Sequence, residues 1–167
     1  MRFAPPAAAL ALLFAISASA GMSQTVVREP DPRAMAMVAE GRAALAAGDT
    51  QGAIDAFEAA LVVDPSITVI YLDLATAARA DGLQGKAIHY YREALSRDPE
   101  NIAAIAGEGE ALVEKGALSA ARESLTKLQT QCGADCAETV ALAAAIERGP
   151  PVMTAEAPAA DPGVTQN

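Results

Sequence analysis

Few side chains in this sequence offer obvious chemistry: two cysteines, a single histidine and scattered carboxylates. Cys132 and Cys136 stand four positions apart. In an exported protein, an even number of closely spaced cysteines most often forms a disulfide, which here would staple a five-residue turn. A loop so short removes little chain entropy, about 2 kcal/mol at most. The competing chemistry is thiol exchange. Cys136 would open a helix, where the positive dipole end lowers a thiol pKa and could yield a redox-active thiolate. The spacing is not Cys-x-x-Cys and no thioredoxin-like strand pattern accompanies it, which favours the structural role. His89 has no second histidine, so neither a two-histidine metal site nor a triad with a second base is available. We expect an ordinary surface or packing histidine, and no metal or cofactor. Asp49, Asp55 and Glu58 read as solvated helix faces rather than acid–base pairs. Gly107, Gly109 and Gly116, near Glu108, have no preceding strand and no following Lys-Ser/Thr, so they read as helix-packing and turn glycines and not as a phosphate loop. The expectation is a protein that is not an enzyme.

Composition points the same way. The 167 residues suffice for one domain with its own core. Hydrophobic residues make up 52%, yet aromatics are only 4% and Trp is absent, so alanine carries much of the apolar content. Alanine is the best helix former and lets backbones approach closely, whereas strands want β-branched and aromatic residues. The net charge of −9 argues against nucleic-acid or anionic-membrane surfaces, which need clustered Lys and Arg.

The two ends read as something other than fold. Met1-Arg2, an apolar run from Ala7 to Ile16 and the small residues Ala18-Ser19-Ala20 form the pattern of a signal peptide over 1–20, cleaved near Ala20-Gly21. The run is too short to span a bilayer, which takes about twenty apolar residues, so no span is expected in the mature chain. The expected location is outside the cytoplasm, in the periplasm if the cell is Gram-negative. Residues 21–33, with Pro30 and Pro32, read as a linker. Residues 149–167, rich in Ala and Pro and without apolar periodicity, read as a disordered tail.

Between the ends the chain repeats itself. Ala53, Ala87 and Ala121 recur every 34 residues, as do Gly48, Gly82 and Gly116. The same interval links Phe57, Tyr91 and Leu125, and Ala60, Ala94 and Leu128; Pro65 and Pro99 close two units and Gly133 stands at the third. A fixed period of this size marks a stack of units, none of which can bury its apolar face alone. In the first unit Met37 to Ala47 reads as a helix, Gly48-Asp49 as a break, and Gln51 to Val63 as a second helix with Ile54, Phe57 and Leu61 on one face. Asp64-Pro65 and Asp98-Pro99 stop the second helices. Asp135 and Glu138 give a capping-box-like start to a last helix, 136–148, with Val140, Leu142 and Ile146 as its apolar stripe.

These units resemble tetratricopeptide repeats, over 34–67, 68–101 and 102–135. Gly41, Gly48, Ala53, Phe57, Ala60 and Pro65 supply the pattern in the first; Ala75, Gly82, Ala87, Tyr91, Ala94 and Pro99 supply it in the second. The third, with Gly109, Gly116, Ala121, Leu125, Leu128 and Gly133, departs at the aromatic and the proline. Tyr71 alone keeps the aromatic usual near a repeat's start, and Glu40 and Glu108 stand where the family favours Leu. The resemblance implies an all-α superhelical solenoid of three repeats plus a capping helix.

It also implies where a site would lie. First helices of such repeats line a concave groove, and the matching positions are Val38, Arg42 and Leu45, then Leu72, Asp73, Thr76 and Arg79, then Ala106, Glu110, Val113 and Glu114. Arg42 and Arg79 would make one end basic, and Glu110 and Glu114 the other acidic, with Leu45, Leu72 and Val113 as an apolar floor. The Lys and Asn set with which some relatives clamp a terminal carboxylate is absent. The implied function is a protein-binding module or envelope scaffold holding a partner protein or peptide. A thiol or disulfide-handling factor using Cys132 and Cys136 is the alternative, and the competing reading of the groove residues is that they only keep an exposed face soluble.

Overall fold

The computed structural model describes residues 29–151. The expected signal peptide, most of the linker and nearly all of the tail lie outside them. Among the described residues seven helices follow in order: α1 (Pro32–Ala46), α2 (Thr50–Val63), α3 (Val69–Ala80), α4 (Gln84–Arg97), α5 (Ile102–Glu114), α6 (Leu118–Gln131) and α7 (Ala137–Arg148). No strand occurs among the described residues. The fold is all-α, three helical hairpins and a final helix.

The first helix starts earlier than the sequence indicated. Asp31 caps it by accepting the Arg33 N–H, and Pro32 sits in the first turn. A proline costs nothing there because that N–H has no intrahelical partner. The linker therefore ends before residue 31, not at 33. Asp49 and Asn101 cap α2 and α5 in the same manner, accepting the N–H groups of Gly52 and Ala104. Between the helices of each hairpin, Gly48, Gly82 and Gly116 take φ of +85°, +74° and +83°. That conformation is costly for residues carrying a Cβ, which accounts for the 34-residue spacing of these glycines.

The expected close-crossing alanines, Ala53, Ala87 and Ala121, are all fully buried. Phe57, Ile54, Ile70 and Leu74 centre one core cluster, and Tyr91, Ile105, Leu128 and Leu142 another. Helices α1, α3, α5 and α7 succeed one another on one side of the stack, while α2, α4 and α6 form the other layer. One buried polar residue ties the first hairpin shut. Asp64 is fully buried, and its carboxylate accepts the Asp31 N–H at 3.0 Å together with the N–H and Oγ–H of Ser66. The residue that stops α2 thus also anchors the entry to α1, which the sequence did not reveal.

The last helix departs from expectation at its start. Cys136, not Asp135, is the N-cap of α7, and no side chain caps it. Its buried face carries Thr139 and Leu142, while Val140 is exposed. The reason is packing: Leu142 fills the space beside Gly109 on α5, where an added Cβ would stand 2.5 Å from Leu142 Cδ2. That contact sets the rotation of α7 and turns Val140 outward.

Candidate functional site

The concave side is built from one face each of α1, α3 and α5, closed at one end by α7. The structure brings the sequence-predicted charged residues together in a way that changes their meaning. Arg42 on α1 is bound to Asp73 on α3, its Nη2 donating to Oδ2 at 2.8 Å and its Nε to both carboxylate oxygens. Arg79 on α3 reaches Glu114 on α5 through Nε and Nη2, at 2.8 and 2.6 Å, and Glu110 through Nη1. The expected basic end and acidic end do not exist as separate surfaces. Opposite charges face one another across each inter-repeat joint, one to one between Arg42 and Asp73 and one guanidinium to two carboxylates at Arg79, because side chains on the facing first helices lie within one side-chain length.

Burial strengthens the Arg79 cluster. Its guanidinium and both carboxylates are about three-quarters covered, so Coulomb attraction is screened less than at an open surface. Desolvation alone would lower the Arg79 pKa, but the Glu114 hydrogen bond and the Glu110 charge outweigh it and hold the group raised.

The apolar floor is also narrower than expected. Leu45 and Leu72 are half-buried and pack against the core clusters. Val113 is core, 3% exposed, as are Val38 and Ala106. Val113 lies buried because α7 covers that side of α5. Thr76 remains exposed at the centre of the concave face, its hydroxyl donating to the Leu72 carbonyl one turn back at 2.9 Å. At the α7 end a pocket of about 470 Å³ opens between Arg79, Glu110, Val113 and Glu114 on one wall and Ala145, Arg148, Gly149, Pro150 and Pro151 on the other. The second wall was missed because the glycine-proline sequence was read only as the beginning of a tail.

The other candidates are accounted for individually. Cys132 and Cys136 have their Sγ atoms 2.07 Å apart, a bonding distance, with Cα atoms 5.8 Å apart. With Glu138 they form the one group of three potential metal-ligating side chains among the described residues. Sulfurs bonded to each other offer no thiolate for a metal. His89 is exposed, with its ring 5.6 Å from that of Tyr90. Asp49 is a helix cap, Asp55 accepts from Gln51 Nε2, and Glu58 accepts from Lys86 and the Tyr90 hydroxyl. Glu108 is buried and takes Arg92 Nε at 2.7 Å, which satisfies a carboxylate at a position where an apolar residue would otherwise pack.

A stack of helical hairpins with paired small residues, turn glycines and a concave face defines the class: a helical-repeat solenoid. The tetratricopeptide repeat family model matches residues 5–66, 38–102 and 72–135. The chain belongs to that family. Among solved structures it is similar to the Sgt2 TPR domain from Aspergillus fumigatus, with 25% identity, a TM-score of 0.65 and coverage of 71% of this chain and 80% of that one. It is similar to the yeast Sti1 TPR2B domain in its pHsp70 complex, at 20% identity and TM-score 0.65, over 71% of this chain and 98% of the other. The Yersinia enterocolitica type III secretion chaperone SycD, in complex with a peptide of the translocator YopD, matches at 21% identity and TM-score 0.63, over 71% and 92% of the two chains. No curated protein matches the sequence.

Proposed function

We propose that this chain is a non-catalytic interaction module that holds an extended or helical segment of a partner protein on the concave face formed by α1, α3 and α5. The observation that carries this reading is the cross-repeat pairing of Arg42 with Asp73 and of Arg79 with Glu110 and Glu114. These pairs fix the spacing of three helices and leave a wall near neutrality, with Thr76 exposed at its centre. Such a wall recognises shape and hydrogen-bonding pattern more than net charge. Sti1, solved in its pHsp70 complex, and SycD, solved with a peptide of the translocator YopD, lend support by their likeness of fold.

We also read the protein as exported, on its leader-like first twenty residues, and as an envelope assembly scaffold. A Cys132–Cys136 bridge fits an oxidising compartment, where it would staple α6 to α7 rather than exchange electrons. Periplasmic fractionation of the full chain tests the location.

Charge reversal at Arg79 would dismantle the wall itself, so the binding test uses a residue outside the ion pairs. The full chain and its Thr76→Trp variant are compared on an array of synthetic peptides, with Val62→Glu on the exposed end of α2 as control. The expected result is a set of peptides whose binding Thr76→Trp abolishes and Val62→Glu leaves intact. Binding that survives Thr76→Trp and fails with Val62→Glu would move the site off the concave face.

A further inference from the structure

Two joints between repeats meet the same packing problem on the α2, α4 and α6 layer and solve it differently. Between α2 and α4 the space is taken by Tyr90, whose ring packs against both core clusters and whose hydroxyl donates to Glu58 Oε1 at 3.0 Å. Lys86 reaches the same carboxylate at 3.2 Å. One period later, between α4 and α6, Ser124 stands at the place of Tyr90, Ala120 at that of Lys86 and Arg92 at that of Glu58. The ring has no counterpart there. A pocket of about 370 Å³ opens in its stead, floored by Glu108 and Leu112 of α5 and walled by Arg92, Leu95, Ser124 and Lys127. We propose that this pocket receives a tyrosine side chain of a partner protein, which puts back the phenol that the third repeat lacks.

The polar atoms of the pocket fit a phenol and not merely a ring. Ser124 is only 3% exposed, yet its hydroxyl makes no hydrogen bond among the described residues. Glu108 gives Oε1 to Arg92 Nε at 2.7 Å, and its Oε2 accepts from no donor among them. No side-chain polar atom of the described residues is both unpaired and closed off from solvent, so these two open onto the pocket they line. A phenol hydroxyl has one donor and accepting lone pairs. It can donate to the carboxylate and accept from the serine, as Tyr90 donates to Glu58. A plain phenyl ring would leave both groups covered and unpaired. Leu95 and Leu112 offer apolar area to the ring. At the mouth Arg92 keeps 62% of its side chain exposed and uses only Nε on Glu108, so its guanidinium can lie on the ring face. That of Arg97 already lies 4.1 Å from the Tyr71 ring centre. Lys127 and Glu123 bring opposite charges to the rim, which favours a visitor without net charge. The pocket is at the small end of ligand-site sizes and admits one side chain rather than a larger cofactor.

The test titrates blocked tyrosine, N-acetyl-tyrosine amide, into the full chain and follows backbone amides by NMR, beside blocked phenylalanine and the free phenol p-cresol. The expected result is saturable shifts centred on Glu108, Leu112 and Ser124, with blocked phenylalanine about tenfold weaker for want of the hydroxyl. Ser124→Tyr gives the third repeat the residue that the second already has, and it should fill the pocket and abolish the shifts. Ala120→Met, on the pocket wall, plugs it by a second route should the first variant fail to fold. Thr76→Trp, on the opposite layer, should leave the shifts unchanged, so failure here and failure of the concave-face reading are told apart. Equal binding of blocked phenylalanine and tyrosine would overturn the assignment to a phenol. Binding of p-cresol without blocked tyrosine would make this a small-molecule site and overturn the partner side chain. Shifts that survive both plugs, or no shifts with any probe, would overturn the site itself.

Discussion

The ring of Tyr91 lies against the bare backbone of Gly107: a Cβ at Gly107 would stand 2.3 Å from Tyr91 Cζ and 2.6 Å from its hydroxyl. Tyr91 belongs to α4 and Gly107 to α5, so this contact is part of the joint between the second and third repeats. Alanine at position 107 gains up to about 1 kcal/mol of helix propensity, but the methyl group must push the ring or the helix aside. We predict that Gly107→Ala lowers stability by about 1–3 kcal/mol, the usual cost of overpacking. Combining it with Tyr91→Leu should restore part of the loss, since Leu125 fills the corresponding place in the third repeat. Urea denaturation of the two single variants and the double variant checks this, and strictly additive losses would show that the ring is not the obstacle.

Two glycines three residues apart should respond with opposite sign. Gly82 has φ +74° and nothing within 4 Å of an added Cβ, so Gly82→Ala costs only the backbone strain, about 1–2 kcal/mol. Gly85 lies in the first turn of α4, also with open space around an added Cβ and with ordinary helical φ. Gly85→Ala should therefore stabilise by about 0.5–1 kcal/mol through a less flexible unfolded chain and better helix propensity. Thermal unfolding of both variants decides it, and destabilisation of equal size in both would refute the conformational argument.

The contrast between these glycines shows what the sequence could tell. Gly82 announces itself through its partners Gly48 and Gly116 at the same phase, and Ala87 through Ala53 and Ala121. Periodicity exposes any position that every repeat must solve in the same way. Arg79 has no such signal, because its repeat equivalents are Leu45 and Val113, and its meaning comes from Glu110 and Glu114 one helix away in space. Each of those carboxylates is legible as an acidic groove residue, but their neutralisation by a particular arginine depends on rotamers and on the separation of α3 from α5. Val113 lines the concave pocket, as its helix phase indicates, but its near-complete burial depends on the docking of α7 against α5, which leaves no local trace. Asp64 reads as a stop signal before Pro65, while its bond to the Asp31 N–H joins positions 33 apart and leaves no local trace.

The Tyr90 hydroxyl donates to Glu58 Oε1 at 3.0 Å. Its pKa is raised above the ordinary 10.0, first by burial and then by the hydrogen bond to the carboxylate. The folded state thus favours the neutral phenol. That contribution to stability is fully present below pH 10 and is lost as pH rises through the raised folded-state value. Glu58→Gln should move the Tyr90 titration downward but not back to the ordinary value, because burial, the larger cause, remains. A carbon-13 NMR titration of the Tyr90 Cζ checks the direction. An unchanged titration in the variant would remove Glu58 from the explanation.

Arg79 is the most consequential charge of the concave wall, because one guanidinium serves two carboxylates on the next repeat. Replacing it by Met keeps much of the aliphatic packing but leaves Glu110 and Glu114, one turn apart on α5, without their cation. Exposed ion pairs contribute about 0–1 kcal/mol and fully buried ones cost about 3–5 kcal/mol when one partner is removed. The cluster is about three-quarters covered and lies between these limits, so Arg79→Met should cost about 1–3 kcal/mol. Glu110→Gln alone should cost less, since Glu114 keeps its two hydrogen bonds to Arg79. Adding Glu110→Gln to Arg79→Met should then recover stability, because it removes one of the two uncompensated charges. Denaturant melts of the three variants at low and high salt give the cycle. Recovery that shrinks as salt rises would identify like-charge repulsion on α5 as the cause, whereas a double variant less stable than Arg79→Met would show that the wall depends on packing and not on charge.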